Sequence, residues 1–414
     1  MGAVAHCKLM RVVFVNRYFH PDHSATSQIA SDLVFALAAR GMEVIAITSR
    51  QRYDDPGAAL QRDETLEGVR ILRVRTPIFG RGNLLGRAFD YMGFYLGAMW
   101  RVLRTARRGD VVVAMTDPPM LGVALWPVAA LRGAKLVHWL QDLFPEVAVR
   151  LGMRAIRPVA GLLRALRNAA LRRASSIVAI GDSMAALVWR ECSRAPVVIP
   201  NWALEEHSDT DAPPTRQSHP LRREWNLGAA FIVGYSGNMG RAHQLAGLID
   251  AAERLRNEPG IAFLLVGEGA QRAALERMVH ERGLINVIFR PHQPREALRT
   301  SLTLPDLHVA SLDERLEGLI VPSKVVGVIA LGKPVLWLGS KSGEVGSLVL
   351  RAGAGMVVPA NDGAAMAASI RAVARDGGRV AAMAEAARSL WKARFKRTDA
   401  IARWQEVLEG IMGQ

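Results

Sequence analysis

Apolar runs of strand length alternate with helix-period segments along almost the whole chain. RVVFVN, starting at Arg11, is apolar enough throughout to be a buried strand. SATSQIASDLVFALAARG follows with a helical pattern that opens on Ser and Thr and stops at Gly41. MEVIAITSR is the next strand. The series continues with VRILRVRT, a helix from about Leu85 to Arg107, the strand DVVVAMTD, an apolar helix to Gly133 and the strand KLVHWLQD. An arginine-rich helix and the strands SSIVAIG and APVVIP close it. Strands that are apolar without alternation are buried on both faces, so the pattern predicts a parallel sheet covered by helices.

The rhythm breaks between Trp202 and Arg222. EEHSDTDAPPTRQSHP is polar, Pro-rich and irregular, as an interdomain linker is. A second α/β series follows, with strands AFIVGYSG, IAFLLVGEG, LINVIFRP, LPDLHVASL, PVLWLG and AGMVVP separated by helical segments. The expected organisation is an N-terminal domain over 1–201, a linker over 202–222 and a C-terminal domain over 223–390. A terminal helix over 391–414 is expected to pack back towards the first domain. Two Rossmann-like α/β domains facing a central cleft would bind a ligand at the carboxyl edges of their sheets.

Composition narrows the class. A chain of 414 residues suits two domains, and 50% apolar with 22% charged residues excludes a disordered tail. Cys7 and Cys192 are the two cysteines, too few for a disulfide framework or a Cys-based zinc site, and they suit a reducing cytoplasm. The longest apolar run, Met120 to Leu131, is too short to span a bilayer and contains Pro127. MGAVAHCKLM lacks the apolar core of a signal peptide, and residues 1–9 are expected to be a loose tail.

The formal net charge of +15 predicts a polyanionic partner. From Val147 to Gly181 there are seven arginines and no acidic residue. The Arg150–Arg173 stretch has no aromatic side chain, which argues against nucleic acid. An anionic membrane surface fits better, with the protein peripheral on the cytoplasmic face. Leu162, Leu163, Leu166 and Leu171 would supply apolar contact beside Arg164 and Arg167, and Arg101, Arg104, Arg107 and Arg108 would add charge near Phe94, Tyr95 and Trp100.

Two glycine turns follow C-domain strands: Tyr235-Ser236-Gly237-Asn238-Met239-Gly240 and Gly267-Glu268-Gly269. Glycine lets backbone amides approach an anion at a helix start, but a tight turn needs it for steric reasons as well. Glu317-Gly318-Leu319-Ile320-Val321-Pro322-Ser323-Lys324 is more pointed. Pro322 and Ser323 are helix-start residues, so the amides around Leu319 and Ile320 are expected to be free for a diphosphate, with Lys324 as a cation. Glu317 would accept hydrogen bonds from sugar hydroxyls. A capped helix with a solvated Lys and Glu has the same spacing. Ser24 and Thr26, in the first βα turn, are candidates for a ligand-contacting loop or a helix cap. Asp209-Thr210-Asp211 resembles a metal-binding Asp-x-Asp but falls in the linker, and Trp202 reads as hinge packing.

HPDHSATSQIASDLVFALAARGMEV, HWLQDLFPEVAVRLG, VIPNW, YSGNMGRAHQL, LLVGEG, FRPHQPREAL and LEGLIVPSKVVGVIALGKPV, in that order and spacing, resemble family-4 glycosyltransferases. These are retaining GT-B enzymes that use nucleotide sugars, and the resemblance is to the bacterial O-antigen, capsule and colanic-acid subgroup that includes fucosaminyltransferase-like proteins. It implies a donor site in the C-terminal domain and an acceptor site in the N-terminal domain. The implied partners are a UDP-linked nucleotide sugar and a polyprenyl-diphosphate-linked saccharide; no cofactor and no metal are expected.

The chain departs from the commoner pattern in three ways. Gly327 stands where many relatives carry a ribose-binding Glu. Asn238 and His243 stand at the diphosphate-binding Arg and Lys, with Arg241 and Lys324 as substitutes. Gln141 replaces a sugar-contacting His, beside Asp142 as a candidate base. His138 shares the face of residue 140 if the segment is extended, so it is not expected to stand in for Gln141. The implied donor residues are Gly237, Asn238, Arg241, His243, Gly267, Leu319, Ile320, Ser323 and Lys324, with Glu317, Gln141 and Asp142 catalytic. A non-catalytic basic binding protein and a nucleotide-sugar epimerase are the competing classes.

Overall fold

The computed structural model describes residues 11–53, 55, 57, 60–77, 79, 84–203 and 216–413. The chain forms two compact units, one made of residues up to 204 together with Arg397–Gln414, the other of residues 205–396. Asp209-Thr210-Asp211 and Cys7 lie outside the described residues.

In the first unit the strands are β1 (Arg11–Val15), β2 (Glu43–Ser49), β3 (Asp63–Leu66), β4 (Val69–Val74), β5 (Val111–Ala114), β6 (Lys135–Leu140), β7 (Ser176–Ala179) and β8 (Val197–Val198). They form one sheet in the order β3-β4-β2-β1-β5-β6-β7-β8. The sheet is parallel except at its edge, where β3 runs antiparallel to β4. That strand, DETL, is polar and lies at a sheet edge, so it carries none of the apolar signal of a buried strand. The strand order turns at β1, which pairs with β2 on one side and β5 on the other. Ligands of open α/β sheets bind beyond the carboxyl ends of the strands at such a point.

The terminal helix, Arg397–Met412, belongs to this unit. Trp404 is fully buried against Phe14 and Trp139, with the Trp139 ring centroid 4.7 Å away. Trp202 stacks on Trp139 at 6.5 Å and donates its indole N–H to Asp32 at 2.7 Å. Arg397 pairs with the same Asp32 at 2.8 Å. A carboxylate shared by a tryptophan and an arginine therefore ties the end of the chain to the first helix, Ala25–Ala39.

In the second unit β9 (Phe231–Ser236), β10 (Ile261–Val266), β11 (Val287–Arg290), β12 (Leu307–Ser311), β13 (Val335–Leu338) and β14 (Gly355–Val358) form an all-parallel sheet in the order β11-β10-β9-β12-β13-β14. The turn of strand order falls between β9 and β12. Residues 216–222, assigned above to a linker, are part of this unit: Pro220–Glu224 is a short helix. Arg222 in it is buried and holds Asp306 at 2.7 Å. Pro220 starts that helix at a position where its missing N–H costs nothing.

Candidate active site

In the second unit, the turns after β9 and β10 nest against each other. Gly237 and Gly267 have φ of +124° and +133°, a region that side-chain-bearing residues rarely adopt. A Cβ on Gly267 would lie 2.2 Å from the Gly237 carbonyl oxygen, and one on Gly237 would lie 2.5 Å from Lys324 Cε. The glycines thus permit a close approach of Lys324 to the first turn. The amides of Gly237, Met239 and Gly267 are taken, donating to the carbonyls of Val266, Glu268 and Arg290.

Lys324 opens the helix Lys324–Ala330 and reaches across to β9. Its Nζ donates to Tyr235 Oη at 2.6 Å and to the Asn238 carbonyl at 2.8 Å, and it lies 4.5 Å from the Tyr235 ring centroid. Burial pulls its pKa down to about 7 from an ordinary 10.5. Tyr235, pushed upward by burial, stays a neutral hydroxyl. His243 donates Nδ1–H to the Ser311 carbonyl at 2.6 Å. Burial first, and Lys324 second, hold its pKa at about 4, so the ring is neutral at pH 7. Asn238 and Arg241 are exposed at the turn.

The Glu317 carboxylate faces the start of the helix Glu344–Ala352, where its Oε2 accepts the Glu344 N–H at 3.3 Å. Its Oε1 is buried with no hydrogen-bond partner. Gly343 makes room for it, since a Cβ there would fall 2.3 Å from Oε1. Burial raises the carboxyl pKa, and the Glu344 amide offsets part of the rise.

The loop between them differs from the expectation. The Leu319 and Ile320 N–H groups are not free: both donate to the Leu316 carbonyl, at 3.0 and 3.4 Å. A 3-10 turn over Glu314–Leu316 runs on through these residues and uses their donors. Ser323 is already helical in backbone (φ −62°, ψ −25°) and makes no side-chain cap. Around Gly327 an added Cβ would meet nothing within 4 Å.

In the first unit, Asp142 follows β6. Burial raises its carboxyl to about 7; a hydrogen bond from Thr116 opposes the rise and nearby Asp117 adds to it. Gln141 is buried and exchanges two amide hydrogen bonds with Asn201, at 2.8 and 3.3 Å. His138 lies in extended β6, against Gly122, where a Cβ would come within 2.2 Å of its Cε1. Ser24 occupies the cap position of the first helix, but its hydroxyl makes no cap bond and is buried unpartnered. Thr26 is half-buried in that helix's first turn.

Sequence reasoning missed Tyr235, Thr116 and Asn201. Tyr235 lies inside the glycine-turn motif itself, next to a buried strand, and a tyrosine there signals a hydroxyl in need of a partner.

Residues 25–202 match the glycosyl transferase 4-like domain, and residues 220–390 match the glycosyl transferases group 1 domain. The chain belongs to the 4-like, group 1 glycosyltransferases and is a nucleotide-sugar-dependent glycosyltransferase. It is 26% identical over 355 residues to the putative colanic acid biosynthesis glycosyl transferase WcaI of Escherichia coli, across 82% of this chain and 86% of that one. Its GT-B fold is shared with sucrose-phosphate synthase from Thermosynechococcus elongatus, at a TM-score of 0.77 and 18% identity, covering 98% of this chain and 99% of that one. Anabaena HepE, solved in complex with UDP and glucose, has a TM-score of 0.69 at 17% identity, covering 97% and 99%.

One consequence of the glycine packing is testable directly. Gly237→Ala should give a folded protein whose Lys324 is displaced, because the methyl would occupy the space of its Cε. Nucleotide-sugar turnover is expected to fall at least about tenfold, with positive-φ strain of about 1–3 kcal/mol. Steady-state kinetics beside thermal unfolding would show it; normal turnover would detach Lys324's position from function.

Proposed function

We propose that the protein is a retaining glycosyltransferase of cell-surface polysaccharide synthesis, of the O-antigen, capsule or colanic-acid kind. It moves an N-acetylated hexosamine from a UDP-linked donor to a polyprenyl-diphosphate-linked saccharide. The observation that carries the reading is Lys324, a half-buried amine fixed at the glycine turn between Tyr235 and Asn238. A cation preorganised there stabilises a leaving diphosphate as the anomeric C–O bond breaks. Arg241 is the second cation at this turn, and Glu317 takes hydroxyls of the transferred sugar. The likeness to WcaI supports the polysaccharide setting, and the fold shared with UDP-bound HepE supports the donor class.

Asp142, with a carboxyl near 7, suits a group that takes the acceptor's proton at neutral pH. Gln141 orients beside it. Because the diphosphate is held by side-chain cations, the reaction is expected to proceed without a metal and to keep its rate in EDTA. A thermal-shift panel of UDP-, GDP- and dTDP-sugars tests the donor. A UDP-sugar at 100 times its dissociation constant should add about 2.7 kcal/mol of stability. Stabilisation by GDP-sugars alone would overturn the choice of UDP.

The lipid-linked acceptor brings in a membrane, and two features of the first unit support an anionic bilayer surface. The helix Leu84–Thr105 exposes Phe89, Met92, Leu96 and Trp100 on one face, with Arg104 4.4 Å from the Trp100 ring centroid. The helix Ala160–Arg173 exposes Leu162 and Leu166 beside Arg164, Arg172 and Arg173. Three members of the expected surface are corrected. Phe94 and Leu171 are core, and Arg167 is buried between Glu146 and Glu191, because it faces the neighbouring helices Glu146–Arg150 and Asp182–Cys192 rather than solvent. Among the described residues no helix is long and apolar enough to cross a membrane. Co-sedimentation should show binding to vesicles containing anionic lipid at low salt and loss at high salt. Equal binding to neutral vesicles would contradict it.

A further inference from the structure

The first unit buries four arginines, Arg11, Arg17, Arg73 and Arg167. Three of the four hold a carboxylate. Arg11 pairs with Asp110 at 2.8 Å, Arg73 with Glu64 at 2.6 Å and Arg167 with Glu146 at 2.5 Å; in the second unit Arg222 does the same with Asp306. Arg17 is the exception. Among the described residues no carboxylate lies within 4.0 Å of its guanidinium, although it is only 6% exposed.

Its surroundings hold it firmly without neutralising it. Arg17 follows β1, where its N–H donates to the Asp117 carbonyl at 2.7 Å and its own carbonyl accepts from Ser49 N–H and Thr48 Oγ1. The guanidinium carbon lies 5.2 and 5.0 Å from the ring centroids of Tyr18 and Tyr91. Nη2 donates to Gln51 Oε1 at 3.3 Å, and Nε is buried with no acceptor. Asn16 Oδ1, Ser24 Oγ, Thr76 Oγ1 and Asp142 Oδ1 are likewise buried and unpartnered, all in segments that follow β1, β4 and β6.

Buried polar groups in folded proteins are almost always hydrogen-bonded, and a buried charge without a counter-charge is costly. The aromatic faces of Tyr18 and Tyr91 offset part of that cost. A bound anion would supply the rest. We propose that Arg17 binds a phosphate-type oxyanion of the acceptor through its Nε–H and Nη1–H groups, at the carboxyl edge of the first sheet. This rests on reading the first unit as the acceptor-binding one, and adds to it the residue that holds the acceptor's charged group.

The test uses the full-length protein with geranyl diphosphate and inorganic pyrophosphate as probes, by titration calorimetry in saturating UDP. Saturation with UDP keeps the nucleotide's own phosphate subsite filled. Geranyl diphosphate should bind the wild type, and Arg17→Met should weaken it about 10- to 100-fold, as loss of hydrogen bonds to a charged group does. Arg17→Lys, which keeps the charge but not the planar fork, should fall between. UDP affinity should be unchanged in both. Because the charge has no carboxylate partner, Arg17→Met should melt at the wild-type temperature or higher, whereas Arg73→Met, which strands Glu64, should melt lower.

Failure of geranyl diphosphate to bind the wild type, unchanged affinity in Arg17→Met, or failure of that variant to fold would each overturn the proposal. Loss of UDP affinity would do so too, by moving the oxyanion to the donor. A protein that binds geranyl diphosphate through Arg17 but transfers no sugar would instead refute the proposed reaction and leave this site standing.

Discussion

Replacing Lys324 by Ala is expected to lower kcat by about 10²- to 10³-fold, the usual effect of removing one preorganised donor at a developing charge. The fold should survive. Burial holds the amine at a pKa of about 7, well below its unfolded value of 10.5, so the charged form is disfavoured in the folded state. For a group shifted this way the destabilisation is fully present below pH 7 and vanishes as pH rises through 10.5. At pH 6, therefore, the variant should melt no lower than the wild type, even as turnover collapses. Binding follows the opposite sense: an anion draws the proton onto Lys324, so affinity for a UDP-sugar should fall as pH rises from 7 to 9. In Lys324→Ala that dependence should disappear. Unchanged turnover, or a flat wild-type pH profile, would remove Lys324 from the diphosphate site.

The second large effect is expected at Glu317. Glu317→Gln keeps the shape and leaves a carbonyl oxygen for the Glu344 amide, but it removes the charge and turns one acceptor into a donor. Turnover should drop about 100-fold, as when an interaction made chiefly in the transition state is lost. The melting temperature should hold or rise at neutral pH. Burial raises the folded-state carboxyl pKa, so the ionised form costs stability above that pKa, and Gln does not ionise. The sugar hydroxyl reader and the structural carboxylate are thereby separated: a fall in melting temperature with normal kcat would make Glu317 a mere cap for the helix Glu344–Ala352.

The fold was largely legible because a doubly covered parallel strand reads as an unbroken apolar run. FLLV in β10 and VVVA in β5 leave no other interpretation at that length. The edge strand DETL and the helix Pro220–Glu224 escaped because one is polar and the other sits in a Pro-rich polar stretch. At the site, residue types were legible and their partners were not. Lys324 and Tyr235 are 89 positions apart, and no local pattern joins them. The free-amide reading of Leu319 and Ile320 failed for a related reason: sequence placed the loop but not the 3-10 turn that consumes its donors. Trp202, read as packing, does pack on Trp139, but its indole N–H also donates to Asp32, a partner 170 positions away that no local pattern marks.

Transfer of the sugar, with its stereochemical outcome, can be followed directly. Purified protein would be incubated with UDP-N-acetylhexosamines and a polyprenyl-diphosphate-linked saccharide, in EDTA, and the extracted lipid product analysed by NMR for its new anomeric bond. The expected product has the donor's anomeric configuration, is formed by the wild type and is reduced by at least about 100-fold in Lys324→Ala and Glu317→Gln. An inverted anomeric centre, or equal product from the wild type and both variants, would contradict it.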